Sequence, residues 1–360
     1  MQRYPSENAL DLFFDTRQLK HRPTQYFSVG RMIAPVENPN RLETMAGALV
    51  AEGLARRPIP DAGLVPIAAV HDGGYLDFLA TAHERFTSLP NAGPEVLPNV
   101  HPYAAANATY EGRPRRKVTG IVGLAGWYMG DMSCAITAGT WEAAYWSAQT
   151  AVAAADAVIA GATASFALCR PPGHHAYADR ASGFCFLNNA AIAAERLRTR
   201  FERVAILDFD THHGDGTQAI FYRRGDVFFG SVHTDPANYY PWFMGYADEA
   251  GAGEGDGATL NLPLPPGTGD EDYVAAVAHL IEAARHFGAE ALVVSAGWDA
   301  HRDDPLSKLA VTSAAYPRLG AALGALCLPT VVVQEGGYSL AAIAEAAPAF
   351  TRALLDACGE

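Results

Sequence analysis

Short apolar runs alternate with alanine-rich, helix-like stretches along almost the whole chain, and this alternation restricts the fold more than any other feature. The expected strands are 9–14, 64–70, 165–169, 204–209, 227–232, 259–264, 291–296 and 329–334. The expected helices are 40–54, 73–87, 140–160, 188–200, 271–287, 313–326 and 339–356. Repeated strand–helix units give a mostly parallel sheet covered by helices on both faces. Strands buried on both faces read as continuous apolar runs, as 204–209 does. The expected fold class is therefore α/β: three layers, α/β/α, around a mostly parallel sheet of about eight strands. Ligands of such sheets sit beyond the carboxyl ends of the strands, so the chemistry should follow the apolar runs.

It does so most densely after 204–209. Asp208, Asp210, His212, His213 and Asp215 crowd into eight positions, and Gly214 and Gly216 open the turn. Burying such groups costs several kcal/mol each unless they are paired or bound to metal. Asp210 and His212 lie two apart, so in an extended chain they point the same way. One oxygen and one nitrogen ligand suit zinc. A divalent metal site is the economical reading, with a solvated polar turn as the alternative for this stretch alone.

Four further stretches follow the same rule. After 165–169 comes 170–176 (RPPGHHA), where a rigid turn presents His174 and His175. Histidines that titrate near neutrality could serve beside a metal as base and acid. After 291–296 comes 297–304, in which Asp299 is the best third ligand, while Asp303 and Asp304 could cap the next turn. After 329–334 comes 335–338 (EGGY): its glycines allow close backbone approach, and Tyr338 offers a phenol to a polarised carbonyl. In 182–189 (SGFCFLNN), Phe184 suits the wall of a slot and Phe186 suits the core. Residues 88–139 break the pattern. They are rich in Pro, Gly and Asn, and carry a basic knot (Arg113, Arg115, Arg116, Lys117) with Trp127 and Tyr128. A long irregular insertion is usually functional or disordered.

Composition narrows the function classes. The 360 residues carry a formal net charge of −13, which argues against a phosphate-gripping nucleic-acid binder and mildly favours cationic substrates. Cys134, Cys169, Cys185, Cys327 and Cys358 form no CxxC pair, and their odd number suits a reduced, cytoplasmic protein. No signal peptide is evident, and no apolar run is long enough to span a bilayer.

Taken together and in order, RPPGHHA, SGFCFLNNAAIA, LDFDTHHGDGT, GWDAH and EGGY resemble the histone deacetylase superfamily, of the arginase–deacetylase fold, over nearly the whole chain. Within it the chain looks most like bacterial acetylpolyamine amidohydrolases, through 21–41, 139–144 (GTWEAA), 233–251 and the insertion before 139. The resemblance implies zinc on Asp210, His212 and Asp299. It implies catalytic histidines at His174 and His175, with Asp208 and Asp215 as their carboxylate partners. It puts the carbonyl-polarising tyrosine at Tyr338 and the slot walls at Phe184 and Tyr240, with Gly183 and Gly336 beside the substrate. It also implies a structural potassium ion held by Asp208, Ser231 and main-chain oxygens of Asp210, His212 and Val232. Two positions depart from common patterns. Ser133 stands where many relatives carry an acidic rim residue, with the acids Asp131 and Glu142 nearby; Asp215 stands where at least some polyamine deacetylases have Asn.

The expected activity is removal of acetyl or short acyl groups from amines, acetylated polyamines above all, by one deacetylase domain over 1–360. Zinc is the expected metal, with ferrous iron as an alternative. A homodimer is expected through 88–139, near the active-site entrance, with neither nucleic acid nor membrane as partner. An acetyl-lysine protein deacetylase is the main competing reading. An arginase-like ureohydrolase ranks low, since Gly214 and His301 stand where its second metal needs carboxylates. A non-catalytic, zinc-containing acyl-ligand binder also ranks low, since every catalytic position is filled.

Overall fold

The computed structural model describes residues 10–102 and 118–358. Its strands are β1 (Asp11–Phe13), β2 (Tyr26–Ser28), β3 (Arg31–Ile33), β4 (Ala55–Arg57), β5 (Ala164–Ala167), β6 (Val204–Asp208), β7 (Val227–Thr234), β8 (Thr259–Leu264), β9 (Ala291–Ala296) and β10 (Thr330–Gln334). Eight of them form one sheet in the order β4-β1-β5-β10-β9-β6-β7-β8, and every pairing in it is parallel. β2 and β3 make a separate antiparallel hairpin.

Successive residues of the inner strands feed two different cores. Val204, Ile206, Val293 and Val331 pack with helices Gly73–Thr87, Thr140–Ile159 and Asn189–Arg198 on one face. Ala205, Leu207, Leu292 and Val332 pack with helices Pro39–Ala51, Asp270–Phe287, Ala315–Gly324 and Leu340–Cys358 on the other. Both faces of each strand are thus removed from water, which is why these segments read as unbroken apolar runs.

The chain passes from β5 to β6 across two strand positions that β9 and β10 later fill. The carboxyl ends of β5, β10, β9 and β6 therefore lie side by side, at a crevice where strand order reverses.

Three expectations need correction. Residues 64–70 are not a strand: Val65–Ala68 is one helical turn with Pro66 at its start, and Leu64 and Val65 are exposed. Pro66 lacks the N–H that an inner strand donates, but it fits a first helical turn. The eighth sheet strand is instead Ala55–Arg57, an edge strand paired only with β1 and too polar to stand out as an apolar run. The insertion is not irregular throughout, because Ile121–Tyr128 is helical and Tyr128 packs on Tyr75 and Phe78. The basic knot Arg113, Arg115, Arg116 and Lys117 lies outside the described residues.

Candidate active site

β6 ends at Asp208, and the chain leaves the sheet through Phe209, whose N–H donates to the Ser295 carbonyl of β9 at 3.1 Å. Asp210 then folds back on its own segment: its Oδ1 accepts the His212 amide at 3.0 Å, and its Oδ2 accepts the Gly336 amide at 2.8 Å. Asp299, beyond β9, accepts the Thr211 amide at 3.0 Å. Three strand ends are thereby tied at one point.

There His212 Nδ1 lies 3.0 Å from Asp210 Oδ1 and 3.1 Å from Asp299 Oδ2. One ligand atom from each residue falls within 4.8 Å of the others, and all three residues are buried. Burial and the neighbouring Asp210 charge push the Asp299 carboxyl up to about 7. Burial alone would disfavour a charged His212 ring, yet its bonds to Asp210 and Asp299 hold it up at about 9. Two buried carboxylates and an imidazole that converge in this way call for a central positive charge. Gly297 and Gly336 leave the cradle open, for a Cβ on either would collide with the Asp210 or Asp299 carboxylate. The donor set fits a divalent metal with oxygen and nitrogen ligands.

His174 and His175 lie beside this cluster, their ring centroids 4.0 Å apart. His174 Nδ1 meets Asp208 Oδ2 at 2.9 Å, and His175 Nδ1 meets Asp215 Oδ1 at 2.6 Å. Each ring thus keeps Nε2 for other partners. Their environments differ. Burial disfavours a charged His174, but Asp208 and Asp210 outweigh it and hold the ring well above its ordinary value. Burial, then the charges of His174 and His212, push His175 well below. Burial also raises Asp215 to about 7, although the Tyr177 hydroxyl donates to it at 2.9 Å. Titratable neighbours driven apart in this way are a pattern of acid–base sites.

The slot residues meet above the histidines. Ser182–Cys185 is a tight turn closed by mutual backbone bonds of 2.8 and 3.1 Å, and both central residues, Gly183 and Phe184, have positive φ. For Phe184 that conformation costs on the order of 1–2 kcal/mol, and it turns the ring toward Tyr338, at 6.0 Å, and Tyr26, at 5.2 Å. A Cβ on Gly183 would strike the His175 ring. Tyr240 stands edge-on to His175 at 4.9 Å and to His212 at 6.2 Å. Tyr338 is held by its amide, which donates to Asp304 Oδ2 at 2.6 Å, and by the Arg41 guanidinium 4.6 Å over its ring. Burial keeps its phenol well above the ordinary range, so it remains a proton donor. Phe186 is fully buried in the core. Asp304 caps the Leu306 amide and also holds Tyr338, while Asp303 is largely exposed.

For the potassium set, Asp208 and Ser231 are register partners on adjacent β6 and β7, and Val232 follows Ser231. Asp208 Oδ1 accepts the Asp210 amide at 3.0 Å, and the Ser231 hydroxyl lies 2.8 Å from His233 Nδ1.

Sequence reasoning missed three residues of this region. Glu335, within EGGY, accepts the Gly173 and His174 amides at 2.6 and 3.0 Å and the Ser295 hydroxyl at 3.0 Å. Burial pushes its carboxyl up to about 7. Tyr239 stacks on His212 at 4.9 Å, with its hydroxyl 2.8 Å from Nε2, and fixes the ring that offers Nδ1 to the cluster. Tyr177 supports Asp215. Only Glu335 had a sequence signal, an acid directly after a buried strand.

The family described as Histone deacetylase domain matches residues 35–354. The chain is 47% identical over 339 residues to the acetylpolyamine amidohydrolase of Burkholderia pseudomallei, covering 94% of this chain and 96% of that protein. It is 42% identical to acetylpolyamine amidohydrolase 1 of Pseudomonas aeruginosa, covering 87% and 90%. A crystal structure of acetylpolyamine aminohydrolase from Burkholderia pseudomallei superposes with a TM-score of 0.91 at 46% identity, covering 96% of this chain and 98% of that one.

Proposed function

This chain belongs to the histone deacetylase family, and we propose that it hydrolyses the amide of small acetylated amines, acetylated polyamines first among them, to a short acid and a free amine. The observation that carries this reading is the convergence of Asp210, His212 and Asp299 beside two histidines, each backed by its own carboxylate. The names of the relatives and the charge of −13 favour a cationic amine over other acetylated compounds.

Asp210, His212 and Asp299 would hold the metal, with zinc preferred and ferrous iron the alternative. When bound, it supplies Lewis acidity that polarises the amide carbonyl and acidifies a water. His175, its Nδ1 engaged by Asp215, would accept at Nε2 the proton of the water that adds to the amide carbon and return it to the leaving nitrogen as the C–N bond breaks. His174, its Nδ1 held by Asp208, stabilises negative charge that develops beside it. Asp208 and Asp215 orient the two rings. Tyr338 donates its hydroxyl to the developing oxyanion. Phe184 and Tyr240 flank the alkyl chain, with Gly183 and Gly336 giving the backbone room beside it.

Further parts of the reading rest on the resemblance. A structural potassium ion would bind Asp208, Ser231 and the main chain at Asp210, His212 and Val232. Residues 1–360 are taken as one deacetylase domain, with 88–139 near the entrance as the surface on which a second copy packs. No helix among the described residues is long and apolar enough to cross a membrane, and the cytoplasm is the proposed location.

A kinetic panel on metal-defined protein tests the substrate class. Free acetylpolyamines should exceed acetyl-lysine peptides by about tenfold or more in kcat/KM. The reverse order would transfer the reading to a protein deacetylase. Urea released from arginine would indicate a ureohydrolase. Binding of acetylated amines with no turnover would indicate an acyl-ligand binder.

A further inference from the structure

Asp131 lies in a segment fixed on two sides. The Gly130 amide donates to the Ala181 carbonyl at 2.7 Å, and the Met132 carbonyl accepts the Phe27 amide at 3.1 Å. Its carboxylate is thereby held against both walls of the slot. On one side, Oδ2 accepts the Gly183 amide at 3.0 Å. Oδ1 accepts the Ser133 amide at 2.8 Å and its hydroxyl at 2.6 Å, and that hydroxyl oxygen accepts the Phe184 amide at 3.3 Å. The two outward N–H groups of the positive-φ turn are therefore satisfied through Asp131, one directly and one through Ser133. On the other side, the Tyr240 hydroxyl donates to Oδ2 at 2.8 Å. Ser182 braces the pair, with its hydroxyl 2.7 Å from the Tyr240 oxygen and 3.1 Å from Oδ2.

We infer that Asp131 is a positioning residue whose one carboxylate sets the width of the substrate slot by tying the Gly183–Phe184 turn to Tyr240. The inference rests on the reading of this cleft as the acetylated-amine slot. A carboxylate offers about four lone-pair sites, and five donors face this one: the Ser133 amide and hydroxyl, the Gly183 amide, and the Tyr240 and Ser182 hydroxyls. No site is left to receive the distal ammonium of a polyamine, so Asp131 does not take the place of an acidic rim residue at Ser133. The alternative, that Asp131 reads substrate charge, would require one of the walls to be released. Phe184 makes the tie consequential, because a side chain in the left-handed region stays there only while its surroundings hold it.

The Asp131→Asn variant separates the two roles, because an amide has a single acceptor oxygen: at the Oδ2 position it turns an NH2 against the Ser133 amide, and at the Oδ1 position it loses both Gly183 and Tyr240. Wild type and variant are compared on N-acetylputrescine and on the uncharged N-butylacetamide. The expected result is a rise in KM of about tenfold on both substrates, with a smaller fall in kcat. Metal content should be unchanged, and backbone hydrogen exchange over 181–185 should be faster. A loss confined to N-acetylputrescine would overturn the inference in favour of charge recognition. Unchanged kinetics and exchange would overturn it outright. If Asp131→Asn does not fold, Ser133→Ala and Tyr240→Phe each remove one tie and should each raise KM on both substrates; no change in either sinks the idea. If wild type turns over neither substrate, the proposed activity fails, and the exchange measurement still decides whether Asp131 holds the turn.

Discussion

Asp210 and Asp299 each do two jobs: they fix neighbouring amides and they aim oxygens at His212. Replacing either with Ala should therefore abolish bound metal and turnover together, read by elemental analysis and by assay. Full activity with full metal would refute the ligand assignment. Tyr338→Phe removes only a hydroxyl. kcat should fall by about 10²–10³-fold, with KM changing much less, as when one oxyanion donor is lost. A kcat near that of wild type would reduce Tyr338 to a packing residue. His175→Ala should cost more activity than His174→Ala, because the former removes the proton carrier. The His174 variant should keep more activity, most visibly at higher pH, where the imidazolium it replaces matters less. The opposite ranking in a pH–rate profile would exchange the two roles.

At the level of elements, the segment before 139 is divided in its use. The helix Ile121–Tyr128 packs on the core, with Ile121 and Ala125 buried and the half-buried Tyr128 ring against Phe78. Val100 and Val118, which flank 103–117, are exposed. Those flanks are the part of the insertion proposed to meet a second copy. Sedimentation of the intact protein should give a dimer. Replacing 103–117 with a short linker should weaken it while leaving the fold in place, as judged by circular dichroism. A monomeric wild type, or a shortened chain that dimerises equally well, would remove the insertion from assembly.

Across the whole molecule, acid should unfold this protein through its buried neutral histidines. Burial pushes His71 down to about 4 and His21 to about 3, from an ordinary value of 6.5. Between those values the unfolded chain binds the proton and the folded chain does not, so the unfolded state gains as pH falls. Stability should therefore be lost as pH drops below about 6.5, by about 1.4 kcal/mol per pH unit for each ring. His71 stops contributing further loss below about 4 and His21 below about 3. Urea midpoints measured from pH 7 to pH 4.5 check the slope. His71→Gln keeps an acceptor for the Asn188 amide, which His71 Nε2 receives at 2.9 Å. It should flatten the acid limb, and an unchanged slope in that variant would show that other groups drive the loss.

The sequence by itself determined the layered parallel sheet, because strands buried on both faces must be apolar throughout, and it determined which strands end in chemistry. Asp210, His212, Asp299, His174, His175 and Tyr338 were all legible, since costly polar groups directly after buried strands stand out against the core. It did not reveal Ala55–Arg57 as the eighth strand, because a short edge strand carries no apolar signal, and it misled at 64–70, where Pro66 should have excluded an inner strand. Only the tertiary structure decided how residues far apart in the chain meet. Glu335 under His174, Tyr239 against His212, and Asp131 between Gly183 and Tyr240 join segments separated by 161, 27 and 52 to 109 positions. Hydrogen bonds between distant segments leave no periodicity in sequence. They depend on which strand ends the sheet order brings side by side, and that order is set by packing of the whole chain.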